Sequence, residues 1–380
     1  MTKINVLLWY WGRRGGGTKY SLEVANVLMK EDNIVLYLSL SRQSILFEDF
    51  MSLNLPGFHV NTYMDKLSAI KAIPRLPNIR ANFYRYLVDN EIDIVYCPMH
   101  HIWNILMFSA IRKAKAKYVF TLHDAFPKLG KKQSIASKLI TWLFKKDIKE
   151  ANYIITLSQF VKKQLIQTYQ FDNKRCCVIP HGVFDYSNDS YKKARNFPKN
   201  KCINLLFFGR IVYYKGINLL LDSFSILKQE FPEIRLKIAG SGDISPYHDK
   251  LTNISGIEVD NRVLLEEEIG ELFAKADILV APYTQASQSG VIAIAMGSAL
   301  PVVATPVGGL KEQVVHEHNG LLAEELTALA LSSAIRKLIT SPELYEKCSL
   351  GAISEVSESI NWSTVGQKIS SKIEKVVRNH

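Results

Sequence analysis

The sequence predicts an α/β protein made of two doubly wound domains in series, and three observations predict it. Short apolar runs alternate with helix-length stretches along nearly the whole chain, the order expected of parallel sheets covered by helices. The alternation stops once, at a polar stretch over residues 185–201 that has no apolar period, and then resumes. At 380 residues the chain exceeds the usual single domain and fits two of ordinary size, with the boundary near residues 190 to 200.

The elements can be justified in order. Ile4 to Tyr10 is a strand by its apolar content, and Tyr20, Val24, Val27 and Leu28 then share one helix face. Between them lies Gly12-Arg13-Arg14-Gly15-Gly16-Gly17-Thr18. Consecutive glycines let backbone amides approach a ligand closely, and the following helix aims its positive end at the same place. The dinucleotide fingerprint is absent, because the third glycine is missing and no acidic residue closes the next strand, Ile34 to Ser39. Taken alone, a flexible strand-to-helix turn is the better reading of these glycines. Strands follow at Ile92 to Cys97, Tyr118 to Leu122, Tyr153 to Thr156 and Cys177 to Ile179. The connection before Ile92 carries Lys66, Lys71, Arg75, Arg80 and Arg85 among apolar residues, and Pro74 and Pro77 forbid one uninterrupted helix there. The second half repeats the pattern, with strands at Ile203 to Phe208, Arg235 to Ala239, Asp277 to Ala281 and Pro301 to Ala304. Ile278 to Leu310 holds no charged residue, but Pro282, Pro301, Pro306 and the polar run Gln285 to Ser289 break it into strand, loop, buried helix and strand instead of a membrane span.

Composition narrows the class. Hydrophobic residues make up 47% and charged ones 22%, which excludes disorder. Met1-Thr2-Lys3 runs straight into the first strand, so no secretory leader is expected. The five cysteines form no CxxC pair, which points to reduced thiols in a cytoplasm, with no structural zinc and no disulfide frame. The net charge of +11 lies wholly in residues 1–190, which hold 26 Lys/Arg against 15 Asp/Glu. A basic half beside a neutral one implies an anionic partner surface. Lys128 to Glu150 interleaves lysines with Leu139, Trp142 and Phe144, which suits an anionic membrane, although a core helix with a solvated basic face has the same pattern. No nucleic-acid recognition motif accompanies the charge.

The chemistry concentrates at Leu205 to Phe224, where a strand ends at Gly209 and a helix begins after Lys215. Arg210 and Lys215 sit where a strand's carboxyl end meets a helix's amino end, and that junction favours an anion. Taken alone they fit a phosphate site or a pair of solvated loop charges. His123 ends a strand in the first half, and His100-His101 follow another; without a third ligand a metal role is not expected for the pair.

Six segments in order break the tie. Gly15-Gly16-Gly17, Thr121-Leu122-His123-Asp124, Ile179-Pro180-His181-Gly182-Val183, Gly209-Arg210 with Lys215-Gly216, Ile238-Ala239-Gly240-Ser241-Gly242, and Ser287-Gln288-Ser289-Gly290-Val291 through Thr305 together resemble the family 4 retaining glycosyltransferases of the GT-B fold. The last segment is similar to a subgroup with SQSG before the buried helix. The resemblance implies two Rossmann-like domains facing a central cleft. Residues 1–190 would bind the acceptor, 191–361 the nucleotide sugar, and a helix over 362–380 would cross back to the first domain. It implies a diphosphate held by Arg210 and Lys215, His123 near the donor sugar, and donor contacts from Gly16, Gly17, Gly182, Gly209, Gly240, Gln288, Ser289, Gly290 and Val291. It also implies retention, no divalent metal and no cofactor beyond the sugar nucleotide.

One departure matters. The family's paired glutamates, which read sugar and ribose hydroxyls, fall here on Ala286 and Ile294, and neither side chain accepts a hydrogen bond. Backbone amides at Ser289, Gly290 and Val291 need no particular side chain, and Gln288 or Ser289 could take a hydroxyl contact. The expected function is transfer of a sugar to a glycan acceptor, lipid-linked and made at the inner face of the plasma membrane for cell-surface polysaccharide or lipopolysaccharide, with the protein cytoplasmic and peripheral. The alternatives are a GT-B nucleotide-sugar epimerase or hydrolase, and a noncatalytic nucleotide-sugar-binding protein.

Overall fold

The computed structural model describes residues 3–126, 135–184, 186, 193–198 and 202–378. The chain divides into two compact units, Met1–Pro180 with Trp362–His380, and His181–Asn361.

In the first unit the order is β1 (Ile4–Tyr10), α1 (Gly16–Leu28), β2 (Ile34–Leu40), α2 (Phe47–Met51), α3 (Lys66–Ala72), α4 (Leu76–Asp89), β3 (Ile94–Cys97), α5 (Asn104–Lys113), β4 (Lys117–Leu122), α6 (Ile135–Glu150), β5 (Tyr153–Thr156), α7 (Gln159–Tyr169) and β6 (Cys176–Val178). The six strands form one parallel sheet in the order β2-β1-β3-β4-β5-β6. The strands are apolar on both faces because helices cover both, which is why they read as continuous runs and not as alternation. Trp9, Trp11, Phe83, Tyr118 and Phe120 fill the core between sheet and helices. As Pro74 and Pro77 require, the connection before β3 is broken: α3 and α4 are joined by a 3₁₀ turn at Ile73–Arg75.

The second unit runs β7 (Asn204–Phe208), α8 (Ile217–Glu230), β8 (Arg235–Ala239), α9 (His248–Asn253), β9 (Ile257–Asp260), α10 (Glu266–Lys275), β10 (Ile278–Ala281), α11 (Gly290–Gly297), β11 (Val302–Ala304), α12 (Leu310–Gln313), β12 (Gly320–Leu322), α13 (Ala328–Ile339) and α14 (Pro342–Glu355). Its parallel sheet has the order β12-β11-β10-β7-β8-β9. The chain therefore winds outward in one direction from β7 and in the other from β10. In such a sheet the crevice outside the carboxyl ends of the two central strands is where ligands bind. Two edge strands, β9 and β12, were not expected. β9 is only half-buried and β12 has three residues, so neither carries a strong apolar run.

The last helix, α15 (Trp362–Arg378), packs on α1 within the first unit. Trp362 stands edge-on to Tyr20 with ring centroids 5.5 Å apart, and the Asn33 amide donates to Glu374 Oε1 at 2.9 Å. A Cβ on Gly366 would lie 2.8 Å from Val27, so the small residue is what lets the two helices meet. No helix among the described residues is long and apolar enough to cross a membrane.

Candidate active site

At the switch point of the second sheet, three strand ends are pressed together backbone to backbone. Gly209 leaves β7 with φ +120° and donates its N–H to Ala239 at 2.9 Å. Gly240 leaves β8 with φ +134°, and a Cβ there would fall 2.0 Å from the Gly209 carbonyl oxygen. Gly216, at φ +72°, opens α8, and a Cβ on it would lie 1.8 Å from the Pro282 carbonyl oxygen beyond β10. Only glycine combines a left-handed backbone with that approach.

The loop so held carries both cations. Arg210 is exposed, its Nη2 lies 3.4 Å from the Tyr214 hydroxyl, and it has no carboxylate partner among the described residues. Lys215 is half-buried, with Nζ 3.6 Å above the centre of the Tyr283 ring. A cation seated on a buried tyrosine gains on the order of 1 kcal/mol and is fixed in direction. The Thr284 N–H donates to Tyr214 at 2.8 Å and ties this loop to the segment after β10.

The same segment leads into α11. Gly209 and Val291 are in contact: a Cβ on the glycine would lie 3.5 Å from Val291 Cγ2, so the start of α11 adjoins the Arg210 loop. Of the three amides expected to face a phosphate, the one on Ser289 is engaged: it donates to Gln313 Oε1 at 2.7 Å, and Gln313 Nε2 donates back to the Ser289 carbonyl at 3.1 Å. Ser289 Oγ shares a hydrogen bond with the Tyr283 hydroxyl at 3.2 Å, so this hydroxyl is committed as well. Gly290 and Val291 keep amides with no acceptor among the described residues. Gln288 Oε1 is covered and has no hydrogen-bond partner, an arrangement that costs free energy until a donor arrives. Ala286 and Ile294 are buried as packing residues. His181 and Gly182 stand beside this helix start: His181 Nε2 lies 3.7 Å from where a Gly290 Cβ would be, and its Nδ1 donates to the Gly182 carbonyl at 2.6 Å.

The first unit, taken by itself, carries two groups of note. Gly15, at φ +85°, precedes α1; a Cβ on Gly16 would meet nothing within 4 Å, whereas one on Gly17 would lie 2.8 Å from Met99 Cε. Gly16 therefore faces open space and Gly17 is a packing contact. His123 follows β4, donates from Nε2 to the Pro98 carbonyl at 2.9 Å, and stands edge-on to Tyr20 at 4.9 Å. That bond places the lone pair of the neutral ring on Nδ1.

Sequence reasoning missed the second group. His100 Nδ1 lies 2.6 Å from Asp147 Oδ2, and Asp147 is fully buried on α6. Its other oxygen accepts from Asn104 and from the Tyr118 hydroxyl, both at 2.8 Å. No local spacing links residues 47 positions apart. Among the described residues, no group of three or more His, Cys, Asp or Glu side chains could hold a metal ion.

The expected membrane helix divides. Of its residues, Lys128 to Ser134 lie outside the described ones, and Phe144 and Ile148 on α6 are buried in the core. Leu139 and Trp142 stay exposed, with Lys146 Nζ 5.5 Å over the Trp142 ring.

Two family models match. The model described as Glycosyltransferase Family 4 covers residues 14–184, and the model described as Glycosyl transferases group 1 covers residues 202–341. An uncharacterized glycosyltransferase of Methanocaldococcus jannaschii is 25% identical over 99% of this chain and 100% of its own. Another, from Haemophilus influenzae, is 24% identical over 92% of this chain and 94% of its own. The crystal structure of Anabaena HepE in complex with UDP superposes with a TM-score of 0.72 at 20% identity, covering 98% of this chain and 100% of that one. At that identity the likeness speaks for the fold, which is the two-domain GT-B arrangement of parallel sheets.

Proposed function

We propose that this chain, whose residues 14–184 and 202–341 match the two glycosyltransferase models, takes a sugar from a nucleotide sugar, with retention of configuration, and gives it to a glycan acceptor carried on a lipid for cell-surface polysaccharide or lipopolysaccharide. The observation that supports the donor site is Arg210, an exposed cation with no carboxylate partner among the described residues. It adjoins two α11 amides that likewise have no acceptor there. A diphosphate satisfies all of them at once.

When the anomeric carbon–oxygen bond breaks, negative charge grows on the leaving phosphate. Groups fixed in advance where that charge appears lower the barrier without reorganising. Arg210 and Lys215 act as these cations, Lys215 being aimed by Tyr283, and Gly290 and Val291 add two N–H donors. The proposal needs no divalent metal, since these groups carry the positive charge. Gly209 and Gly240 hold the loop against the sheet, and Gly182 brings His181 beside the helix start. Gln288 is the group that takes a hydroxyl donor in place of the absent glutamates, because Ser289 is already committed. In the first unit the groups assigned to substrate are His123 and the open backbone at Gly16, and Gly17 supports that loop on Met99. The protein works as a peripheral enzyme on the cytoplasmic side of the membrane.

The test is transfer from a panel of UDP-, GDP-, ADP- and dTDP-sugars by the Arg210→Ala and Lys215→Ala variants. Loss of one such donor is expected to slow transfer about 10²-fold or more while the melting temperature holds. Undiminished transfer would overturn the donor-site assignment. Turnover of the donor with no acceptor present would favour the epimerase or hydrolase reading instead.

A further inference from the structure

Part of the basic excess of the first half lies on one structured surface, where residues 64–89 hold five Lys/Arg against two Asp/Glu. From Met64 to Asp89 the chain makes α3, a 3₁₀ turn and α4, and one side of this stretch is firmly packed: Ala72, Phe83 and Leu87 are buried, with Leu76, Ile79 and Tyr86 set against the same core. The other side is not packed against the core, and apolar and basic residues mix on it. Met64, Leu67, Ile73, Tyr84 and Val88 are between 37% and 62% exposed. Arg80, Tyr84 and Val88 recur four residues apart and so share a stripe on α4, while Leu67 and Lys71 do the same on α3. An anchored helix pair with an apolar outer side is not a frayed segment, and apolar residues gathered in this way mark an interaction surface.

Arg75, Arg80 and Arg85 on that side are exposed, and none has a carboxylate partner among the described residues; Arg85 reaches only the Asn82 side chain at 3.4 Å, whereas the exposed Lys71 interacts with the Asp65 carboxylate. The one acidic residue beside the first turn, Asp65, is exposed and accepts the Ser68 N–H at 2.8 Å. Asp89 lies at the far end of α4.

We propose that the outer side of α3 and α4 is the surface by which this protein docks on an anionic lipid membrane. Aliphatic side chains between unpaired arginines suit the boundary of head groups and acyl chains, where the apolar groups bury and the cations meet lipid phosphate. A polynucleotide fits less well, because Tyr84 is the only exposed aromatic ring in the stretch and base stacking needs several. The α6 face is smaller: there Leu139 and Trp142 alone are exposed among the large apolar residues described. The purpose of docking rests on the lipid-linked acceptor proposed above. Its placement rests on these residues alone.

The experiment is co-sedimentation of the full chain with vesicles of phosphatidylcholine, with and without phosphatidylglycerol. Binding is expected only to the anionic vesicles and is expected to fall as salt rises. The triple variant Arg75→Glu, Arg80→Glu, Arg85→Glu should bind about a hundredfold more weakly or worse. A Leu67→Ser, Ile73→Ser variant should also weaken, and Trp142→Ala should bind as the parent does. Equal binding to neutral vesicles, an unweakened triple variant, or loss of binding in Trp142→Ala would each overturn the assignment. The triple variant's melting temperature and its shift with UDP-sugar report folding and the donor site separately. Failure of the transferase proposal would therefore appear in Arg210→Ala and not in the vesicle result.

Discussion

His100 and Asp147 are joined by a 2.6 Å hydrogen bond between the ring Nδ1 and a carboxylate that is wholly out of contact with water. The carboxylate takes two more donors, Asn104 and Tyr118, so three elements, β4, α5 and α6, converge with the loop after β3 on one buried charge. Removing the acceptor strands all three donors. Asp147→Ala is expected to lower stability by about 3–5 kcal/mol in urea unfolding, with Asp147→Asn between it and the parent. A loss under about 1 kcal/mol would show that water replaces the carboxylate.

Glycines of the site should separate into two kinds. Gly240→Ala meets both a left-handed backbone and a carbonyl oxygen 2.0 Å away, and is expected to cost more than about 2 kcal/mol. Gly16→Ala has open space ahead of it and lies in a helix, so it should be neutral or stabilise by up to about 1 kcal/mol. If transfer nevertheless falls in Gly16→Ala, with melting unchanged, the loop contacts a substrate.

Arg195 is expected to matter for folding out of proportion to its place in a linker. Its guanidinium donates to the carbonyls of Phe273, Ala276 and Ser298 at 2.6 to 2.9 Å, closing the last turns of α10 and α11 together. Arg195→Ala should cost about 3 kcal/mol by chemical denaturation. Arg195→Lys should recover little, because an ammonium cannot span the same three acceptors.

Acid should weaken the first unit through His101. Burial among Trp11, Tyr63 and Trp103, then the neighbouring His100 and Arg13, push its pKa from 6.5 down to about 3. The folded ring is neutral while the unfolded one binds a proton below about 6.5, so the folded state loses ground as pH falls from there toward 3. His101→Phe should flatten that part of the stability–pH curve. An unchanged slope would assign the acid sensitivity to other groups.

Much of the fold was legible because its strands are buried on both faces and its turns are marked by glycine. Ile4–Tyr10, Tyr153–Thr156 and Arg235–Ala239 fall where the apolar runs put them. The loop carrying Arg210 and Lys215 was legible for the same reason, as a strand end facing a helix start. What the sequence hid were pairings across long separations: Lys215 over Tyr283, Gln313 clipped to Ser289, and Asp147 under His100. Spacing reveals which residues share an element, not which elements meet. For the same reason Arg75, Arg80 and Arg85 could be counted in advance, but their lack of an acidic partner among the described residues could not.

Ser289 is clipped by a carboxamide, and positions 286 and 294 hold buried alanine and isoleucine. The mouth of α11 thus carries no acidic side chain in its own first turn. A spent nucleoside diphosphate bears more charge than the sugar nucleotide it came from, so such a mouth would grip product harder than reactant, and departure of the by-product would set the pace of each cycle.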